Sequence, residues 1–308
     1  LLDSYEAGTP SWTPLMPQEF EQRRGYSITE FLPVFAGRVV EGDAQTAKFR
    51  ADFDRTIADL YRDVLFKVMQ RMLCEANIRF VCEPYGGPFH TGEVAPYVDR
   101  VMTEFWAGPE FKAEVQNGIM NAGEGKSHNI LEAEAFTGAP DQVSWTETPG
   151  WLKTVGDGAY LAGINRFILH TNPHQPWDDR FKPGMTMGQW GSHFGRTQTW
   201  WVPGKAWIAY LARCQALLQW GKVAASNGSS FVPIDGNANP RSVHRSDGKG
   251  HVFFIAVPAS EQGKALASFR VGNMMPELWD PVTGTMRDLT DFRVDGDTVR
   301  IPLDFAAG

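Results

Sequence analysis

Glutamates recur where successive short apolar runs give out: Glu6 after Leu1–Tyr5, Glu83 after Ile78–Cys82, Glu104 within Met102–Trp106 and Glu134 within Asn129–Phe136. His170 closes a fifth run, Ile164–Leu169. Breaking a glycosidic bond calls for two carboxyl groups, one to protonate the leaving oxygen and one to activate water or attack the anomeric carbon. A charged group inside a buried strand is costly unless paired, so acids placed where strands stop point to an accessible rim. One exposed glutamate is an ordinary solvated residue, but four at corresponding places in successive units form a pattern. Glu132 shares the side-chain parity of Glu134 on a strand and remains an alternative to it.

Residues 1–222 alternate such runs with helical stretches. The clearest helix is Thr46–Ala76, where Phe53, Ile57, Leu60, Val64, Val68 and Met72 recur at three- and four-residue steps and should share one face. Asn77 suits its left-handed stop. Further helices are expected from Pro109, with Phe111, Val115 and Ile119 on one side, over Gly150–Ala162, and over Thr199–Gly221. Strands alternating with helices imply a parallel sheet. Ionisable groups at the strand ends suit a (β/α)8 TIM-barrel-type domain, whose active site lies at that edge. Five units are too few to close a barrel, so the expected fold is α/β with the barrel present in part, about strands 4–8. Residues 223–247, rich in Ser, Asn, Gly and Pro, read as a linker. Residues 248–308 read as a small antiparallel β module, with a turn at Asp280–Gly284.

Composition excludes several classes. A net charge of −7 over 308 residues argues against nucleic acid, whose phosphates demand a basic face. No run of 18 apolar residues exists, so no membrane span is expected. The three cysteines have no metal-like spacing and read as buried thiols. Eight of the 11 tryptophans fall between Trp145 and Trp220, which suits either core packing or stacking on sugar rings. His170 and His174 lack a third ligand for zinc, leaving sugar hydrogen bonding or a structural role. The glycines of 184–195 lack the strand–turn–helix setting of a phosphate loop. The chain opens at Leu1-Leu2-Asp3 in what reads as a strand end, so a fragment is expected, and a missing leader says nothing of secretion.

Six ordered segments carry a resemblance: Asp3-Ser4-Tyr5-Glu6-Ala7-Gly8, Cys82-Glu83-Pro84-Tyr85-Gly86-Gly87, Ala133-Glu134-Ala135-Phe136-Thr137, Gly163-Ile164-Asn165-Arg166, His174-Gln175-Pro176-Trp177 and Tyr210-Leu211-Ala212-Arg213-Cys214-Gln215. In this order they resemble glycoside hydrolase family 106, the α-L-rhamnosidases. The resemblance implies a (β/α)8 catalytic barrel, release of terminal L-rhamnose with inversion, and a calcium ion in the site. It makes Glu6 the general acid, at what would be strand four, with Asp3 its acidic partner, and Glu134 the general base. Glu104 takes a place at the calcium or in positioning water. Glu83, Tyr85, His170, His174 and Trp177 are expected to bind substrate. A general acid has to hold its proton near neutral pH, which burial or a neighbouring carboxylate favours. Calcium seeks oxygen ligands and can hold sugar hydroxyls. The expected protein is a bacterial enzyme, periplasmic or extracellular, acting on rhamnosides of polysaccharides or smaller glycosides. Two alternatives stay open: a retaining barrel glycosidase of another specificity, and a carbohydrate-binding fragment without catalysis. Val223–Arg245 is also shorter than the family's usual connection to later β domains.

Overall fold

The computed structural model describes residues 1–8, 12–108, 129–140, 145–224, 228–258 and 260–306. These fall into two compact units, the first comprising Leu1–Met102 and the second the described residues from Thr103 onward. The helix expected from Pro109 lies outside the described residues.

The first unit is helical apart from its sheet edge. Helix α1 (Met16–Arg24) and α2 (Asp43–Leu60) bury Met16, Phe20, Phe49, Phe53 and Ile57 in one cluster with Phe31 and Val34. After Leu60 the chain makes a π-helical turn, Tyr61–Phe66, before α3 (Lys67–Glu75). This corrects the expected apolar face: Val64 and Met72 are exposed. Phe66 is buried instead, with Leu65, Met69 and Leu73 packed around the cluster of Phe80, Cys82, Val94 and Val101. A π turn adds one residue to the helix and so rotates every later side chain. The apolar series therefore shifts from position 64 to 65, 69 and 73. Asn77 has φ 55° and ends the helix as expected. Cys74 is exposed, against the expectation of a buried thiol, while Cys82 and Cys214 are buried.

Beyond Asn77, only Val81–Cys82 of the expected strand forms β1. It pairs in parallel with the start of β2 (Arg100–Ala107) through Val81–Arg100 and Cys82–Val101. The strand expected at residues 1–6 is reduced to a single parallel bridge between Leu2 and Cys82. A four-residue helix, α4 (Thr91–Val94), lies between β1 and β2.

In the second unit the end of β2 stands beside β3 (Glu132–Gly138), and β3 pairs in parallel with β4 (Arg166–Leu169). Helix α5 (Pro149–Leu161) connects β3 to β4, capped by the Thr148 side chain with Pro149 in its first turn. Its interior glycine has a reason: a Cβ on Gly156 would meet Phe136 at 3.3 Å and Phe167 at 3.4 Å, so glycine lets the helix approach the sheet. Helix α6 (Lys205–Leu218) is shorter than the expected 199–221 because the preceding residues form turns. Phe105, Phe136, Phe167, Phe194 and Trp207 meet edge-on, tilted or stacked in the resulting core.

The expected linker at 223–247 is corrected. It contains β6 (Ser229–Gly236) and β7 (Arg241–Ser246), after a short β5 (Lys222–Val223). Its Ser, Asn and Gly residues mark strand edges and turns, and composition alone concealed the pairing. One antiparallel sheet runs β5-β7-β8, with β8 at His251–Ala256. The other runs β12-β13-β9-β6, with β9 Gly263–Arg270, β12 Arg293–Asp295 and β13 Thr298–Phe305. Strands β10 (Glu277–Trp279) and β11 (Met286–Asp288) form a hairpin. Its connection is tightened by Asp280, whose side chain accepts from the Val282 amide at 2.8 Å. The second unit is thus a mixed α/β arrangement with parallel and antiparallel pairing. Among the described residues, no helix is long and apolar enough to cross a membrane.

Candidate active site

In the first unit, residues 1–8 are tied down by their backbone and by one aromatic ring. Leu2 N–H donates to Val81 O at 2.9 Å, and Glu83 N–H donates back to Leu2 O at 3.0 Å. Tyr5 packs edge-on against Tyr61 and Phe89, and its hydroxyl donates to Gly8 O at 2.8 Å. Gly86, at φ 75°, passes beneath it: a Cβ there would lie 3.3 Å from Tyr5 O. This frame leaves Asp3 and Glu6 exposed. Ser4 Oγ donates to Glu6 Oε1 at 3.4 Å. Glu83 is the opposite case, 2% exposed, with Tyr85 Oη donating to its Oε2 at 2.5 Å.

The carboxylate oxygens of Asp3 and Glu83 come within 4.8 Å of each other. Calcium binds oxygen at roughly 2.3–2.6 Å, so two ligands of one ion stand about that far apart at most. The donor set is all oxygen and anionic, which fits calcium. Burial, and then the neighbouring Glu83 carboxylate, push the adjacent Cys82 thiol up to about 12, so it stays protonated and offers no thiolate.

In the second unit, β3 separates the two glutamates that sequence parity could not. Glu132 is buried and forms an ion pair with Arg166 on β4, Nε to Oε1 3.2 Å. Glu134 is half-buried and receives a 2.7 Å hydrogen bond at Oε1 from Thr137 Oγ1. That bond turns back across Phe136, a fully buried aromatic at φ 68°. A non-glycine residue in this region costs energy, and strained positions of this kind concentrate at functional sites. Glu104 is half-buried on β2. His170 follows β4; its N–H donates to Ala135 O at 3.0 Å, and its buried Nδ1 has no partner among the described residues. His174 and Trp177 are exposed on the loop after it, Trp177 by 52%. Arg196 braces that loop, donating to Gln175 O at 3.2 Å and to Trp177 O, with Asp179 3.1 Å away.

Sequence reasoning passed over one part of this region. Glu147 is 2% exposed and accepts a 3.4 Å hydrogen bond at Oε2 from Ser192 Oγ, while its Oε1 has no partner among the described residues. Burial raises its pKa, favouring the protonated form. Gly138 and Gly191 bridge beside it. Glu147 follows no apolar run, so a pattern of strand-end acids could not have found it.

The family model described as alpha-L-rhamnosidase, glycoside hydrolase family 106, matches residues 1–227. A rhamnosidase from Novosphingobium sp. PP1Y has a similar fold, with a TM-score of 0.78 and 19% identity over 98% of this chain. A Formosa agariphila protein, provisionally named a beta-glucuronidase, is 40% identical over 243 residues, 79% of this chain. The chain spans 20% of that relative's length and 43% of the rhamnosidase's. The match over residues 1–227, three quarters of the chain, places it in glycoside hydrolase family 106.

Proposed function

We propose that the protein to which this chain belongs is an inverting α-L-rhamnosidase that releases terminal L-rhamnose from polysaccharides or glycosides. The observation that supports this most directly is the family match, which spans every proposed site residue. In this reading the chain supplies part of a (β/α)8 barrel. Glu6 protonates the glycosidic oxygen, and Glu134, oriented by the Thr137 hydroxyl, takes a proton from the attacking water. Asp3 and Glu83 supply carboxylates for calcium, with Glu104 as a further donor; the ion, when bound, fixes sugar hydroxyls and offsets negative charge. Tyr85 orients Glu83 through its hydroxyl. His170, His174 and Trp177 contact the sugar. A periplasmic or extracellular location suits substrates of this size.

The test uses the full-length protein and an aryl α-L-rhamnoside. Glu6→Gln and Glu134→Gln should each lower kcat by roughly 10²–10⁴-fold, the usual contribution of a general acid or base. Chelation should abolish turnover, and NMR should show β-L-rhamnose as the first product. Full activity in either variant removes that residue from its role, and α-L-rhamnose as first product makes the enzyme retaining. The name of the Formosa relative favours a second reading, a glycosidase of the same scaffold acting on β-glucuronides. Preferential turnover of an aryl β-D-glucuronide would establish it.

A further inference from the structure

Trp145 is an aromatic side chain held in place on one side and open on the other. It is 40% exposed, yet its indole lies flat on Gly191. A Cβ at residue 191 would fall 3.0, 3.2 and 3.3 Å from Cδ2, Cε2 and Cγ of the ring. Three neighbouring ring atoms at nearly equal distance mean that the face, not the edge, covers that position. The imidazole of His193 closes a second side, with centroids 4.3 Å apart and planes at 80°. The backbone of Trp145 has φ 68°, a costly conformation for an aromatic residue.

The support beneath the indole is polar, buried and ordered. Ser192 and His193 are buried, and His193 Nε2 accepts from Met187 N–H at 3.3 Å. Gln198 Nε2 donates to Ser192 Oγ at 3.4 Å, and Ser192 donates to Glu147. Trp200 Nε1 donates to Glu147 O at 2.9 Å. Burial lowers the pKa of His193, and the nearby His170 lowers it further, so the imidazole is neutral. Burial likewise favours the neutral form of Glu147. Among the described residues, no lysine or arginine builds this support.

We propose that the open face of Trp145 is a stacking subsite for an uncharged pyranose ring of the substrate, and that it discriminates against a uronic acid. The role of this subsite in turnover rests on the glycosidase reading above; the binding itself does not. A pyranose has an apolar C–H face that leaves water when it covers an indole. A carboxylate on the ring would have to shed water beside a support that offers it no cation, a cost without compensation. Covering one ring face removes roughly 60 Å² of apolar surface from water, which corresponds to about a tenfold change in affinity.

The experiment is calorimetric titration of the protein with methyl α-L-rhamnopyranoside and, separately, methyl β-D-glucopyranosiduronic acid at pH 7. The rhamnoside should bind at least about tenfold more tightly than the uronide. Trp145→Ala should weaken the rhamnoside by about tenfold or more, with Trp145→Phe in between. Gly191→Ala, which displaces the indole without removing it, should also weaken binding, and it serves as the second variant if Trp145→Ala does not fold. Unchanged rhamnoside affinity in a folded Trp145 or Gly191 variant overturns the proposal. So does uronide binding as tight as the rhamnoside's, or no binding of either. Failure of the rhamnosidase reading looks different: Trp145-dependent binding persists while the aryl rhamnoside is not hydrolysed.

Discussion

Gly138 ends β3 four residues after Glu134, and substituting it tests the local geometry of the second unit. A Cβ on Gly138 would overlap the carbonyl oxygen of Gly191 and Glu147 Oε1, with the Gly191 carbonyl carbon 2.6 Å away. Two of these three atoms are backbone, so no side-chain rotation relieves the clash. Gly138→Ala must therefore part the bridge in which Gly138 N–H donates to Gly191 O and Gly191 N–H donates back at 3.2 Å. Overpacking of a tight site costs about 1–3 kcal/mol. Two buried hydrogen bonds add about 0.5–1.5 kcal/mol each. The total is about 2–6 kcal/mol. Urea unfolding, followed by the fluorescence of the tryptophans around this bridge, should show a lower midpoint with an unchanged slope. Activity should fall with it, because the chain that carries Thr137 and its bond to Glu134 runs straight into Gly138. A loss of stability below about 0.5 kcal/mol, the range of ordinary surface substitutions, would refute the close approach of Gly138 to Gly191 and the reasoning built on it.

Three further outcomes are expected. Glu147 holds its proton more tightly folded than unfolded, so its contribution is intact below the ordinary value of 4.5 and is lost as pH rises through the raised value. Glu147→Gln should therefore raise Tm at pH 8 and leave it unchanged at pH 4, as scanning calorimetry at both values can establish; equal shifts at both would refute it. Arg245, fully buried, donates to Trp220 O at 2.7 Å and Gly221 O at 3.1 Å just past the end of α6. Arg245→Ala should cost about 2–4 kcal/mol in chemical denaturation, and Arg245→Met, which keeps the packed stem, less than half of that. Tyr210 donates to the buried Asp157, which Lys153 also reaches at 2.8 Å. Tyr210→Phe should lower stability by about 1–2 kcal/mol without changing the KM of any glycoside substrate.

How much of this was legible in the residues depended on the range of the forces involved. Local signals survived: Asn77 stops its helix, the helix expected over Gly150–Ala162 forms as α5, and the alternation in β9 and β13 marks their strands. The π turn at Tyr61–Phe66 was not legible, because periodicity presumes one pitch throughout, and only the buried ring of Phe66 shows that the phase has moved. Strands β6 and β7 were hidden for another reason. The partners of β6 on β9 lie 27 to 40 positions away, and pairing at that range leaves little trace in composition; β7 pairs with β8 across only 5 to 15 positions, but its run Arg241–Ser246 carries a single apolar residue, Val243, and so does not read as a strand. Among the site residues, parity left Glu132 and Glu134 equivalent. What separates them is Arg166, a residue of the next strand. Glu147, Ser192 and Trp145 meet through a glycine bridge that no spacing rule encodes.

Of the sugars in the two relatives' names only the uronic acid carries a carboxylate, so the cations near the second unit's strand ends bear on the choice between them. Arg166 is engaged by Glu132. On the loop after β4, Arg180 binds Asp178 through both its Nε and Nη2, while Lys182 and Arg196 share Asp179. A guanidinium already paired with a carboxylate has its strongest hydrogen-bonding direction occupied. Binding a uronate there would first have to break that pair and leave an aspartate without its partner. A neutral sugar asks for none of this: under the proposed function it needs only apolar ring faces and polar groups at its hydroxyls. Among the described residues, the charge of these four cations is already matched within the chain, which is an argument for an uncharged ring under the proposed function.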